Sequence, residues 1–394
     1  MVPCPPLDTY ERPSLAKTLT VRSFRSERSL RHEGKVLPEQ ARQHNRALVL
    51  RTLFHEGAMS RADLTRETGL TRVTISDLVG DLIEDTYIIE LGVRPATGPG
   101  KPAIIVDLNT AGHSIIALDI SRADVLTGSR MCLDGTVVQH LELPVPSQPV
   151  DVFDSVVSIA RDLIIESRSP ILGVGVGIPG VVDDEGVVLS APNLGWSNFD
   201  LRTQLESELH LPVVAGNDAN AAVLAEYTLS GSGEDIMLVK IDRAVGAGLL
   251  SAGMPLRGYR SAAGEIGHVT VGYDDGVLCV CGKYGCLETW ISVPALSERL
   301  AASSDPEQVL RDAGARLGVA IAPIVGALDL SEIVLAGPSD ILGGACLDAA
   351  AETVQARTMR EFHRAIRLRM TKHGREVVTK GAAVRVLAGQ RGIS

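Results

Sequence analysis

Cys279, Cys281 and Cys286 place three thiols within eight residues, and Glu265-Ile266-Gly267-His268 supplies an imidazole shortly upstream. Three thiolates and one imidazole are the donor set of a closed tetrahedral zinc site. Gly282 and Gly285 let the backbone turn tightly enough to return Cys286 to the Cys279 and Cys281 pair. A Cys-x-Cys pair is too close to form an unstrained disulfide, which makes a disulfide the weaker reading. Four protein ligands leave no position for a reactive metal-bound water. Such a metal is structural, and it would hold Glu265, His268 and Glu288 rigidly beside it.

The elements that carry this cluster must come from a large chain. A length of 394 residues suggests two or three domains. Hydrophobic residues make up 45% and aromatics only 3%, with 39 glycines, so the cores must be built from Ala, Val, Ile and Leu, as in α/β layers. The longest apolar runs, such as 171–182, are cut by Gly and Pro and are too short to span a bilayer. The first residues, with Pro3, Pro5 and Pro6, hold no signal-peptide core, and a cytoplasmic location is expected.

Net charge is -10, yet its distribution is uneven. Residues 12–51 hold about ten Lys or Arg against three Asp or Glu, whereas the chain after residue 110 is negative by roughly eleven. A basic head on an acidic body fits a DNA-binding module joined to a soluble sensor or enzyme. Residues 1–37, rich in Pro, Ser, Arg and Lys, read as a flexible basic arm.

Residues 38–110 read as a winged helix-turn-helix. Apolar residues at helical spacing predict a helix over 39–56 that Gly57 stops. Ser60 and Asp63 resemble a capping box for a short second helix ending at Gly69. Thr71 caps a third helix to about Glu84, with Val73, Ile75, Leu78, Val79, Leu82 and Ile83 as its apolar positions. Thr71, Arg72, Thr74 and Ser76 are then left to meet phosphates and base edges, Arg72 by direct readout. Two strands, 87–91 and 103–108, flank a wing in which Arg94 and Lys101 contact phosphates. Gly80 inside the recognition helix weakens it, and Asp77 and Asp81 oppose phosphate, so binding is expected to need a dimer.

From residue 111 to 394 the pattern is three strands, a helix and a strand (115–120, 125–132, 137–143, 150–167, 171–178). A similar logic restarts at 236–241 and 247–250, followed by a helix over 306–328 and a strand over 332–336. Two such halves suggest a duplicated fold with a ligand cleft between them.

These residues resemble the ROK family of repressors and sugar kinases, in its repressor branch with a winged helix-turn-helix. The likeness rests on Glu265-Ile266-Gly267-His268 and Cys279-x-Cys281-Gly282-x-x-Gly285-Cys286-x-Glu288. Gly177-Ile178-Pro179-Gly180, Ala191-Pro192-Asn193-Leu194-Gly195-Trp196 and Gly216-Asn217-Asp218-Ala219-Asn220 add to it. It implies an α/β body of duplicated actin-like, ribonuclease-H-like lobes and zinc at His268, Cys279, Cys281 and Cys286. It also implies a sugar held by Asn193, Asn217, Asp218, Glu265, His268 and Glu288. Sugar hydroxyls call for dense acceptors and donors on separate loops, which this set provides. Asp218 stands where kinase members keep their general base, although an Asp in such a turn is also what a helix start looks like.

The resemblance breaks at the phosphate loops. Where the kinases have Asp-Ile-Gly-Gly-Thr-Lys this chain has Asp119-Ile120-Ser121-Arg122-Ala123-Asp124, and where they have Gly-Thr-Gly it has Asp242-Arg243-Ala244. Side chains and negative charge replace glycines that let backbone amides approach an anion. The expectation is a sugar-responsive regulator, a repressor of carbohydrate genes, that has lost ATP binding and is not an enzyme. It would bind operator DNA and a sugar or sugar phosphate and form a homo-oligomer, with no membrane partner. Arg122 and Arg243 could form a substitute anion site. The alternative is an ATP-dependent sugar kinase with an appended DNA-binding domain.

Overall fold

The computed structural model describes residues 38–93, 103–122, 124–146, 148–272, 276–363 and 366–391. The arm 1–37 and the wing 94–102, with Arg94 and Lys101, lie outside the described residues. The chain divides into two compact units, one ending at Leu108 and the other beginning at Asn109.

The first unit runs α1 (Pro38–Glu56), β1 (Met59–Ser60), α2 (Arg61–Thr68), α3 (Arg72–Glu84), β2 (Ile88–Val93) and β3 (Ile104–Leu108), with the strands in the order β1-β3-β2. Ser60 begins α2 with a reciprocal cap: its Oγ accepts from the Asp63 amide at 3.2 Å, and Asp63 Oδ2 accepts from the Ser60 amide at 3.1 Å. Gly69 ends the helix at φ 71°, a left-handed turn that glycine makes without a Cβ penalty. Thr71 then caps α3, accepting from the Thr74 amide at 3.2 Å. Leu50, Leu53, Leu64, Ile75, Leu78 and Leu82 fill the core.

Two side chains of α3 depart from the pattern expected of the sequence. Val73 does not join the apolar stripe but is 72% exposed. It lies two residues before Ile75, about 200° round a helix of 3.6 residues per turn, while Ile75, Leu78, Val79 and Leu82 share one face. Asp81 does not oppose phosphate, because its carboxylate pairs with Arg42 and Arg46 of α1, and Asp85 pairs with Arg46 as well. The acidic side chains clamp α3 onto α1.

The second unit holds two five-stranded sheets. The first comprises β4 (Ser114–Asp119), β5 (Val125–Met131), β6 (Val137–Pro144), β7 (Ile171–Ile178) and β11 (Val213–Asn217). Between β7 and β11 come β8 (Val181–Val182), β9 (Val187–Ala191) and β10 (Trp196–Asp200), which form a small antiparallel sheet. The second large sheet comprises β12 (Ile236–Ile241), β13 (Val245–Ser251), β14 (Met254–Pro255), β15 (Glu332–Ala336) and β16 (Arg367–Met370). Their orders, β11-β7-β4-β5-β6 and β16-β15-β12-β13-β14, correspond strand for strand. In each, a central strand has an antiparallel meander on one side and two parallel strands on the other. This is the duplicated ribonuclease-H-like architecture.

Helices α4 (Val152–Ile165) and α5 (Leu201–Leu209) complete the first lobe around a core of aliphatic residues. Helix α6 (Asp218–Ser230) lies against the second sheet. The second lobe continues with α7 (Glu288–Ile291), α8 (Val293–Ala302), α9 (Pro306–Leu328), α10 (Ser339–Leu342), α11 (Ala345–Arg357) and α12 (Arg360–His363). The chain then returns through α13 (Val377–Arg391), which packs on the first sheet and on α6. A fully buried Glu226 ties α6 to β16, accepting from Arg369 Nη2 at 2.8 Å, Thr371 Oγ1 at 2.5 Å and the Lys372 amide at 3.1 Å. Burial alone would raise its pKa, but these donors hold it below the ordinary carboxylate value. No helix among the described residues is long and apolar enough to cross a membrane.

The α6–α13 crossing depends on small residues. A Cβ on Gly381 would lie 1.8 Å from the Ala221 carbonyl oxygen, whereas a Cβ on Gly80 in α3 would meet nothing within 4 Å. The same substitution should therefore have opposite signs. Gly381→Ala forces two backbones apart and should destabilise by about 1–3 kcal/mol. Gly80→Ala should stabilise its unit by about 1 kcal/mol. Denaturation of the two variants checks both, and equal effects would refute the packing argument.

Candidate functional site

The loop after β14 returns antiparallel to itself through isolated bridges between Thr270 and Cys286 and between Leu278 and Tyr284. The amide of Leu287 donates to Val269 O at 2.8 Å and that of Val271 to Gly285 O at 2.9 Å. These bonds carry His268 to the cysteine turn. The donor atoms of His268, Cys279, Cys281 and Cys286 all lie within 4.8 Å of one another.

Their spacing fits a metal. Zn–S near 2.3 Å and Zn–N near 2.0–2.1 Å in a tetrahedron imply S···S of about 3.8 Å and S···N of about 3.5 Å. Cys281 and Cys286 Sγ are 3.6 Å apart, and Cys279 Sγ is 3.4 Å from His268 Nδ1. Burial, followed by the crowding of the other two thiols, pushes the Cys286 thiol up to about 12. Such crowding is costly for bare thiols and is relieved when a cation binds the thiolates.

Glu288 begins α7 two residues beyond Cys286. Its Oε2 accepts from the Val245 amide at 3.0 Å and its Oε1 lies 4.0 Å from Cys279 Sγ. Trp290 anchors the same short helix, held between Arg299 and Arg316 with guanidinium carbons 3.9 and 3.4 Å from its ring centroid. Glu265 is raised above its ordinary value by burial; the nearby charges of Asp218 and Glu288 add to this and His268 opposes it. Asp218, Glu265, His268 and Glu288 thus share one electrostatic neighbourhood at the lobe junction.

Asn217 caps α6. Its Oδ1 accepts from the Asn220 amide at 2.9 Å, while its Nδ2 donates to Gly180 O at 2.9 Å and Asp218 Oδ1 at 3.1 Å. Most of its hydrogen-bonding capacity is used in shaping the loop. Asn193 is exposed and lines a neighbouring depression of about 230 Å³ with Ser121, Arg122, Pro179 and Arg243. Arg122 is paired with Asp124 at 3.2 Å. In the first unit Thr71, Arg72 and Ser76 are exposed and Thr74 is half-buried, its hydroxyl 2.9 Å from that of Thr71.

One further side chain at this junction belongs to no motif in the sequence. Lys240, inside the apolar strand β12, places Nζ 3.0 Å from Asp218 Oδ2, with side chains 12% and 11% exposed. A lysine in an otherwise aliphatic strand was the available signal. Burial alone would lower the lysine's pKa, but attraction by Asp218, Asp119 and Asp242 raises it. Asp119, almost fully buried, accepts from the Ser121 amide at 2.9 Å and hydroxyl at 2.6 Å; burial still raises it, against the pull of Lys240. Asp119, Lys240 and Asp242 line a cavity of about 450 Å³ with Pro338 and Arg375, at the end where the phosphate loops diverge.

Duplicated ribonuclease-H-like lobes, with a His/Cys3 cluster beside a carboxylate-rich junction, define an actin-like two-lobed protein joined to a helix-turn-helix unit. The chain belongs to the ROK family, which its residues 131–388 match. It is 32% identical over 266 residues to a putative xylose repressor from Caldicellulosiruptor sp. (strain Rt8B.4), spanning 65% of this chain and 65% of that relative's length. Over 135 residues, 34% of this chain and 41% of the other, it is 42% identical to a glucokinase from Halalkalibacterium halodurans. Among solved structures, a ROK family transcriptional regulator described as a homolog of the E. coli MLC protein superposes with a TM-score of 0.78. That likeness covers 90% of this chain and 98% of the other at 23% identity, and it shows the fold.

Proposed function

We propose that this protein is a sugar-responsive transcriptional repressor in which residues 38–110 bind operator DNA and residues 111–394 bind the effector. The observation that carries this reading is a helix-turn-helix, with both helices capped and the N-terminal face of α3 open, preceding a ROK body. The relatives' names, xylose repressor among them, support it.

In this reading zinc is held by His268, Cys279, Cys281 and Cys286 as a structural brace. It leaves His268 Nε2 for a sugar also bound by Asn193, Asn217, Asp218, Glu265 and Glu288. Sugar favours one arrangement of the lobes in a homodimer and so changes the spacing of the two recognition helices. Operator DNA must then weaken sugar binding by the same factor by which sugar weakens DNA binding. The contacts of Asp218 support a non-enzymatic role: Oδ2 is engaged by the Lys240 ammonium at 3.0 Å and Oδ1 accepts from the Ala219 amide at 2.9 Å, so both oxygens already have partners within the protein. Residual kinase activity is the second reading, favoured by the cavity of about 450 Å³, and a sugar-phosphate assay tests it.

Sequencing of genomic fragments captured by the purified protein at moderate salt tests the reading. Strong sites beside sugar-transport or catabolic genes are expected, and no enrichment at any salt would overturn it. Arg72→Ala should cost about 1–3 kcal/mol of discrimination at the captured site with less effect on unrelated DNA, checked by competition binding.

A further inference from the structure

Val73 is an aliphatic side chain where solvent exposure is costly. At 72% exposed, it stands near the start of a capped 13-residue helix in which Ile75, Leu78, Val79 and Leu82 are buried and Ile83 is half-buried. Its neighbours on the open face are Arg72, Ser76, Asp77 and Gly80, all exposed. Gly80 has nothing within 4 Å of a built Cβ, so the surface around Val73 is low and open to close approach.

In a helix-turn-helix, residues at the start of the second helix reach base edges in the major groove. Arg72 and Ser76 can offer hydrogen bonds there, but the isopropyl group of Val73 can offer only apolar contact. One feature of the major groove is apolar: the C5-methyl group of thymine. We infer that Val73 is a specificity-determining residue that reads a thymine methyl in each operator half-site. The inference rests on the proposed DNA-binding role and adds a base preference to it. Burying one methyl against Val73 corresponds to about a fourfold change in affinity.

The test selects duplexes from a random library with the full-length protein. Each thymine of one half-site is then replaced in turn by uracil, which removes the methyl and keeps the pairing. Wild-type protein should lose about fourfold in affinity at one thymine. Val73→Ala should bind the thymine duplex about fourfold more weakly than wild type and should not distinguish thymine from uracil there. Equal binding of every uracil duplex by wild type, or a thymine preference retained by Val73→Ala, would overturn the inference while leaving DNA binding intact. Failure to select any duplex would overturn the DNA-binding reading, and this inference with it. The wild-type uracil series needs no variant, so the outcome does not depend on how Val73→Ala folds.

Discussion

Cys281→Ser is expected to yield protein with little bound metal and with sugar affinity lowered along with it. Three sulfurs and one nitrogen within 4.8 Å of one another form a closed donor set, and removing one thiolate opens it. Loss of an outer partner alone typically costs 10–100-fold in metal affinity, so loss of a ligand should cost on the order of 100-fold or more. Cys281 is the exposed member of the cluster, so its replacement removes little packing. The consequence should travel through geometry. The bridges from Thr270 to Cys286 and from Leu278 to Tyr284 hold His268 and Glu288 against the same turn. Without the metal, those bridges and the loop's other hydrogen bonds, such as that from Lys283 Nζ to His268 O at 2.9 Å, must hold the crowded thiols together. Elemental analysis and calorimetry with a sugar panel measure the two effects. A metal-free variant with undiminished sugar affinity would remove the supporting role assigned to the cluster.

Lys240→Met should lower the stability of the second unit by about 3–5 kcal/mol, since removing one partner of a buried ion pair strands the other charge. Here Asp218 would lose its partner and the almost fully buried Asp119 a nearby cation. Methionine fills nearly the volume of the lysine stem, so the loss would report charge and not a cavity. Adding Asp218→Asn to Lys240→Met should recover part of the loss, because the neutral amide no longer needs a counter-ion. Urea denaturation of both single variants and the double variant gives the coupling directly. Additive effects would mean that the pair contributes nothing beyond its separate parts.

The elements were legible where a local rule governs them. Strands over 171–178, 236–241 and 332–336 and the helix over 306–328 match their expected bounds, because the strands are short, mostly apolar runs, the helix carries apolar residues at helical spacing, and each ends at Gly, Pro or a charged residue. The cap at Ser60 and the turn at Gly69 are local in the same sense. Val73 is apolar yet does not join the core, because the angular position set by Ile75 and Leu78 puts it on the other side of the helix. The pairing of Asp81 is not legible in the sequence because its partners, Arg42 and Arg46, lie about forty residues earlier in another helix.

The sequence by itself determined the donor types and spacing of the His/Cys cluster, the capped helix pair and the duplicated strand pattern, since these depend on residues close together in the chain. The tertiary structure decided what Asp218 faces. Asp119, Asp218 and Lys240 come from β4, α6 and β12, separated by some twenty to a hundred residues. The repeated sheets and the close α6–α13 crossing at Gly381 bring them to one junction. Charge pairing falls off with distance in space and is indifferent to distance along the chain. Lys240 has no local partner in its strand, and only the fold sets it beside Asp218.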